Sequence, residues 1–177
     1  MPDILVVDDN EMNRDMLSRR LQKQGYTVDT AVNGSDAWTR IQNETFDLVL
    51  LDIQMPVMDG HEVLHHMKSN DMTRDIPVII ISAQNELDSV VRCIEMGAED
   101  YLPKPFNPTI LKARISASLE KKRLHDLDIK NKKIVEKYNE ELEVRVHKQV
   151  KEIASAQLGA IFAMSKLAES KDPETGA

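Results

Sequence analysis

Hydrophobic positions in this chain follow two periods. The runs "ILVV" (4 to 7), "LVLL" (48 to 51) and "VIII" (78 to 81) are apolar without polar alternation, the mark of strands buried on both faces. "TVDTA" (27 to 31) and "EDYL" (99 to 102) are weaker strand candidates. Between them apolar residues recur at helical spacing, over 12 to 24, 34 to 43, 60 to 69, 86 to 96 and from 107 onward, with Gly25 and Gly97 placed as carboxyl-terminal stops. Five strands alternating with five helices predict an α/β domain on a parallel doubly wound sheet, over residues 1–118.

Past residue 106 the pattern changes. Apart from Pro108 there is no proline or glycine until Gly159, and 120 to 153 is rich in Lys and Glu, which predicts one long helix. Its apolar positions fit an eleven-residue spacing: Leu127 to Tyr138, Val135 to Val146, Leu142 to Ile153. Such a repeat has about 3.67 residues per turn and gives a nearly straight or slightly right-handed coil. Asn131 and Gln149 occupy intervening seam positions, weakening the pairing while fixing its register. A polar helix of this length needs a partner, so a parallel homodimer through a coiled coil over 119–156 is expected; a single solvated helix is the alternative.

Composition narrows the setting. At 41% hydrophobic residues, the 177-residue chain has enough apolar material for a packed core. The single cysteine, Cys93, cannot form an internal disulfide, and no signal peptide is evident, which points to a cytoplasmic protein. No apolar run approaches the ~20 residues needed to span a bilayer, so no membrane partner is expected. Residues 1–118 carry 11 Lys and Arg against 19 Asp and Glu, while 119–177 carry 12 against 11. Neither part has the basic face of a nucleic-acid binder, and the acidic first part suits a cation instead.

The residues leaving the strands carry the chemistry. In a doubly wound sheet, ligands collect beyond the carboxyl ends of the strands. There the first strand delivers Asp8 and Asp9, the third Asp52, the fourth Ser82, and the fifth leads to Lys104. Three carboxylates brought together repel by roughly 4 kcal/mol per pair at ~4 Å and an effective dielectric near 20. Left alone, one takes up a proton. A hard divalent ion answers the repulsion, and Mg²⁺ prefers a few carboxylates, a backbone carbonyl and retained waters. An ionised Asp52 is then a nucleophile toward phosphorus, with Lys104 and the Ser82 hydroxyl placed to hold phosphoryl oxygens.

The blocks "ILVVDDNEMNR", "LVLLDIQMPVMDG", "VIIISA" and "GAEDYLPKPF" resemble, in order and over about 118 residues, the signature blocks of bacterial response-regulator receiver domains. That resemblance implies a flavodoxin-like sheet of order 2-1-3-4-5 and a two-component phosphorelay with a sensor histidine kinase or phosphotransfer protein as donor. It implies Asp52 as phosphoacceptor, Asp8 and Asp9 holding Mg²⁺ with the backbone carbonyl of Gln54, Ser82 as switch hydroxyl, Tyr101 as switch aromatic and Lys104 as phosphate partner. The Lys104-Pro105 bond is often cis in the family. Gln54 and Gln84, two positions beyond Asp52 and Ser82, are placed to influence water attack and so the phosphate lifetime. Movement of Ser82 and Tyr101 would reshape the face of helix four, strand five and helix five, which could pair two chains and reset the coil.

Each of these residues also has a plainer reading. Asp8 or Asp9 could cap the following helix, Tyr101 could be ordinary core, and Gly60 a requirement of loop and helix entry.

The closing segment, "AQLGAIFAMSKLAESKDPETGA", resembles the opening of HD-GYP phosphodiesterases acting on cyclic dinucleotides, whose Lys-Asp-Pro-Glu-Thr-Gly-like turn precedes a metal-site histidine. Residues 157–177 are accordingly expected to begin a truncated output domain; an amphipathic helix ended by a turn is the alternative. No Gly-Tyr-Pro occurs, and His125-Asp126 lies in the charged coil without neighbouring ligands, so this chain is not expected to hydrolyse the dinucleotide itself. His65 and His66 are adjacent and cannot both face one ion from a helix. Three other functions compete. A stand-alone receiver adaptor remains open. A Mg²⁺-dependent phosphatase needs a second acid two residues after its nucleophile, where Gln54 stands. A histidine kinase fragment built on His147 lacks the surrounding motif.

Overall fold

A computed structural model of the protein describes residues 1–83 and 87–169. Strands β1 (Asp3–Val7), β2 (Thr27–Ala31), β3 (Leu48–Asp52), β4 (Val78–Ala83) and β5 (Asp100–Lys104) alternate with helices α1 (Glu11–Lys23), α2 (Gly34–Asn43), α3 (Gly60–Ser69), α4 (Leu87–Glu95) and α5 (Pro108–Glu169). The sheet is parallel in the order β2-β1-β3-β4-β5, the flavodoxin-like arrangement expected. Gln84 and the turn expected over 171–176 lie outside the described residues. β5 runs past the expected Leu102 through Pro103, which an outer strand tolerates because one edge of its backbone needs no partner.

Side-chain oxygens start the first three helices. Asn10 caps α1 by accepting from the amides of Met12 and Asn13, so the reading of Asp8 or Asp9 as the cap is corrected. Asn33 caps α2, and Asp59 with Glu62 forms a reciprocal capping box on α3. Gly25 and Gly97 follow α1 and α4 with φ of 91° and 101°, the left-handed turn that ends a helix at little cost when no Cβ is present.

Strand alternation sorts the apolar runs onto two faces. Leu5, Val7, Val49, Leu51 and Ile80 face one core, closed by α2, α3 and α4 through Ala37, Ile41, Val63, Leu64 and Val90. Ile4, Val6, Leu48, Leu50 and Ile81 face the other, closed by Leu17 and Leu21 of α1 and Leu111 and Ile115 of α5. Continuous apolar runs in β1, β3 and β4 thus reflect helices on both sides, and the carboxyl ends of these inner strands are where polar side chains reach the surface.

The chain divides into two units, Met1–Asp126 and Leu127–Ala177. α5 belongs to both. In the second unit Val135, Tyr138, Val146 and Ile153 are all more than half exposed. No helix among the described residues is long and apolar enough to cross a membrane.

Candidate functional site

β1 ends at Val7, which places Asp8 at its carboxyl end, and β3 ends in Asp52, in register with Ile81 of β4. One ligand oxygen from each of Asp8, Asp9 and Asp52 lies within 4.8 Å of the others. Asp8 and Asp52 are buried, while Asp9 is exposed. Lys104 leaves the end of β5, beside Ala83 in register, and reaches across β4. Its Nζ stands 2.7 Å from Asp52 Oδ2 and 3.0 Å from Asp8 Oδ2. The Lys104-Pro105 peptide is cis.

A polar shell holds Asp8. Its carboxylate accepts from the Asn10 amide at 2.9 Å and from Asn13 Nδ2 at 3.2 Å, while Arg14 donates to its backbone carbonyl at 2.7 Å. Residue type and spacing did not single out Asn13 or Arg14. Both become legible once the helix start is put at Asn10, because the first turn then hangs over the end of β1. Gly60 meets the expected requirement of loop and helix entry for a definite reason: a Cβ there would collide with the Asp52 carbonyl and stand 2.9 Å from Ile53 Cα. The Gly60 amide donates to Ile53 O at 2.9 Å, drawing α3 tightly against the strand that carries Asp52.

Electrostatics follow from this burial. Desolvation pushes the Asp52 carboxyl from 3.8 up to about 6, against the pull of the Lys104 bond and charge, and Asp8 and Asp9 add to the rise. Burial would lower the Lys104 ammonium, but the bonds and charges of Asp52 and Asp8 outweigh it and hold Lys104 above its ordinary value. One lysine therefore leaves the carboxylates short of positive charge. An all-oxygen donor set with that deficit fits a hard divalent cation, and does not fit a soft metal that prefers sulfur or imidazole.

The remaining expected residues are placed as follows. Ser82 is buried at the end of β4, one residue beyond the partner of Asp52. Gln54 is exposed and lines a cavity beside the cluster with Asp9, Met55, Asp59, His61 and Ser89. Tyr101 is not in the cluster: it pairs with Ile80, three residues back along β5 from Lys104, partly buried against the core under α4. His66 stacks on Trp38 at 5.3 Å, and His125 Nε2 lies 3.9 Å from Asp75, so neither histidine joins the acidic pocket. A second cavity, lined by Asp3, Phe46, Asp47, Asn70 and Thr73, opens at the amino end of β1, away from these residues.

A parallel 2-1-3-4-5 sheet with acids at the ends of β1 and β3 and a lysine at the end of β5 is the architecture of a signalling receiver. Residues 4–116 match the response regulator receiver domain, and the chain belongs to that family, the receivers of two-component signalling. Over 98% of its length it is 37% identical to a protein of Vibrio cholerae serotype O1 named a probable cyclic di-GMP phosphodiesterase. It is 38% identical, over 67% of its length, to the phosphate regulon transcriptional regulatory protein PhoB of Pseudomonas aeruginosa. The chain spans 37% of the first relative and 52% of the second. Among solved structures, the chemotaxis protein CheY4 of Vibrio cholerae superposes with a TM-score of 0.63 at 31% identity, covering 67% of this chain and 98% of that one.

Proposed function

We propose that the chain receives a phosphoryl group on Asp52 from the phosphohistidine of a sensor kinase or phosphotransfer protein, and passes the signal to an output through a dimeric coil. The supporting observation is the Lys104 ammonium bridging Asp52 and Asp8 at 2.7 and 3.0 Å within a cluster of three carboxylates. Asp8, Asp9 and Asp52, with the backbone carbonyl of Gln54, would hold Mg²⁺, which supplies charge neutralisation for the carboxylates and for the incoming phosphoryl oxygens. Asp52 Oδ attacks phosphorus, the donor's P–N bond breaks as the O–P bond forms, and the imidazole, protonated on its far nitrogen, leaves neutral. Lys104 and Ser82 hold phosphoryl oxygens in the product, and Tyr101 follows Ser82 inward. Gln54 and Gln84 set access of water and hence the lifetime of the acyl phosphate.

The output reading rests on how far the match extends. PhoB is matched over 67% of this chain, whereas the Vibrio cholerae protein named a probable phosphodiesterase is matched over 98%, through the coil and into the closing turn. On this reading, 1–118 is the receiver, 119–156 the coil of a homodimer that also pairs through α4, β5 and α5, and 157–177 the start of an output that hydrolyses cyclic di-GMP in a longer protein. Catalysis of that hydrolysis belongs to residues outside this sequence. Incubation with acetyl phosphate and Mg²⁺ tests the receiver step. Intact mass spectrometry is expected to show one added phosphoryl group, absent without Mg²⁺ and absent in Asp52→Asn; an adduct that survives this substitution contradicts the proposal.

A further inference from the structure

β5 and Glu99, the residue just before it, are laced to α5 by two ion pairs whose basic partners lie seven residues apart, on one face of the helix. Arg114 Nη1 pairs with Asp100 Oδ1, and Lys121 Nζ lies 2.8 Å from Glu99 Oε1. The two differ in setting. The Lys121 side chain is 72% exposed, and a solvated pair of that kind contributes little. Arg114 is 33% exposed, and its guanidinium carbon stands 5.5 Å over the centroid of the Tyr101 ring. Consecutive strand residues point to opposite faces, so Asp100 and Tyr101 diverge. β5 is one of the two outer strands, and Arg114 nonetheless contacts both.

One guanidinium thus joins a carboxylate and an aromatic face of β5 to α5. The same strand carries Lys104 into the acidic pocket three residues later. We propose that Arg114 is a positioning residue: it holds the Tyr101 ring in its resting orientation, so that departure of the ring removes one of two attachments of Arg114 to β5. The proposal rests on the roles of Asp52 and Tyr101 given above. An arginine suits this double contact better than a lysine, because its several donors and delocalised charge let one group meet the ring and donate to Asp100 together. Since α5 continues from Pro108 to Glu169, the change is made within the same helix that carries the exposed apolar seam.

The sequence holds three tyrosines, so 3-fluorotyrosine labelling of the full chain gives few fluorine resonances, with Tyr101 assigned by Tyr101→Phe. In the resting protein, Arg114→Ala and Arg114→Lys are both expected to displace the Tyr101 resonance by more than its linewidth while leaving that of Tyr26 in place. The lysine variant keeps a charge for Asp100, so its displacement separates loss of the planar face from loss of the ion pair. A Tyr101 resonance that coincides in wild type and both variants overturns the proposal. This comparison needs no phosphorylation. A wild-type spectrum unmoved by Mg²⁺ and beryllofluoride would instead count against Asp52 as the acceptor, and the resting-state comparison would still decide the role of Arg114.

Discussion

The Lys104 ammonium lies 2.7 Å from Asp52 Oδ2, yet burial keeps the Asp52 carboxyl at about 6, above its ordinary value of 3.8. An acid raised in the folded state costs stability when it is charged. The cost is absent below pH 3.8, grows as pH rises, and is complete above about 6. Without divalent cations, Asp52→Asn is expected to be more stable than wild type at pH 7 by about 1–3 kcal/mol, and equally stable at about pH 3.5. Urea denaturation at the two pH values checks this. Adding Mg²⁺ is expected to stabilise wild type more than the variant.

Gly60 sets the approach of α3 to Asp52. Gly60→Ala is expected to lower stability by about 1–3 kcal/mol, since the new Cβ meets backbone atoms that cannot swing away. Phosphoryl uptake from acetyl phosphate should slow as well, because the atoms forced aside carry the side chain of Asp52, the proposed acceptor. An unfolding midpoint equal to wild type would show that the loop gives way freely.

Val57 is the one non-glycine residue with positive φ among those described, at 73°, and it is 84% exposed. A β-branched side chain in that conformation is strained, and exposure leaves it little packing in return. Val57→Asn is expected to raise stability by about 0.5–1 kcal/mol, because asparagine tolerates the left-handed region. Thermal melting reads the change.

The proposed dimer can be tested in the second unit. Val146 and Ile153 lie on the apolar seam and are exposed in a single chain. Placing a carboxylate at each, in Val146→Asp with Ile153→Asp, should weaken self-association more than about 100-fold by burying charge in the pair. Sedimentation equilibrium measures it, and circular dichroism should show helix lost on dilution, since an isolated polar helix is marginal.

Much of this organisation is legible in the residues themselves. "LVLL" and "VIII" read as strands because both faces are covered, and "TVDTA" fits as the opposite outer strand, partly exposed along its length. Asp8, Asp52 and Lys104 could be gathered at one pole because a parallel sheet puts every strand's carboxyl end there. Harder to read were contacts decided by packing distance. That Gly60 sits against the Asp52 backbone, or that Arg114 covers Tyr101, depends on how closely a helix approaches a strand, which residue type and spacing do not encode. Asn13 and Arg14 are not singled out by the sequence for a local reason: with the helical pattern read over 12 to 24 and only Asp8 or Asp9 considered as a cap, their side chains have no defined direction over the end of β1.

The proposed signalling turns on the Asp52 side chain being the group that takes phosphorus. The decisive measurement is to phosphorylate the chain with acetyl phosphate and Mg²⁺, reduce it with borohydride and sequence the peptides, since an aspartyl phosphate is reduced to homoserine where it stood. Homoserine is predicted at position 52 and nowhere else. Homoserine at Asp8 or Asp9, or none at all in a chain whose mass has risen by one phosphoryl group, would contradict it.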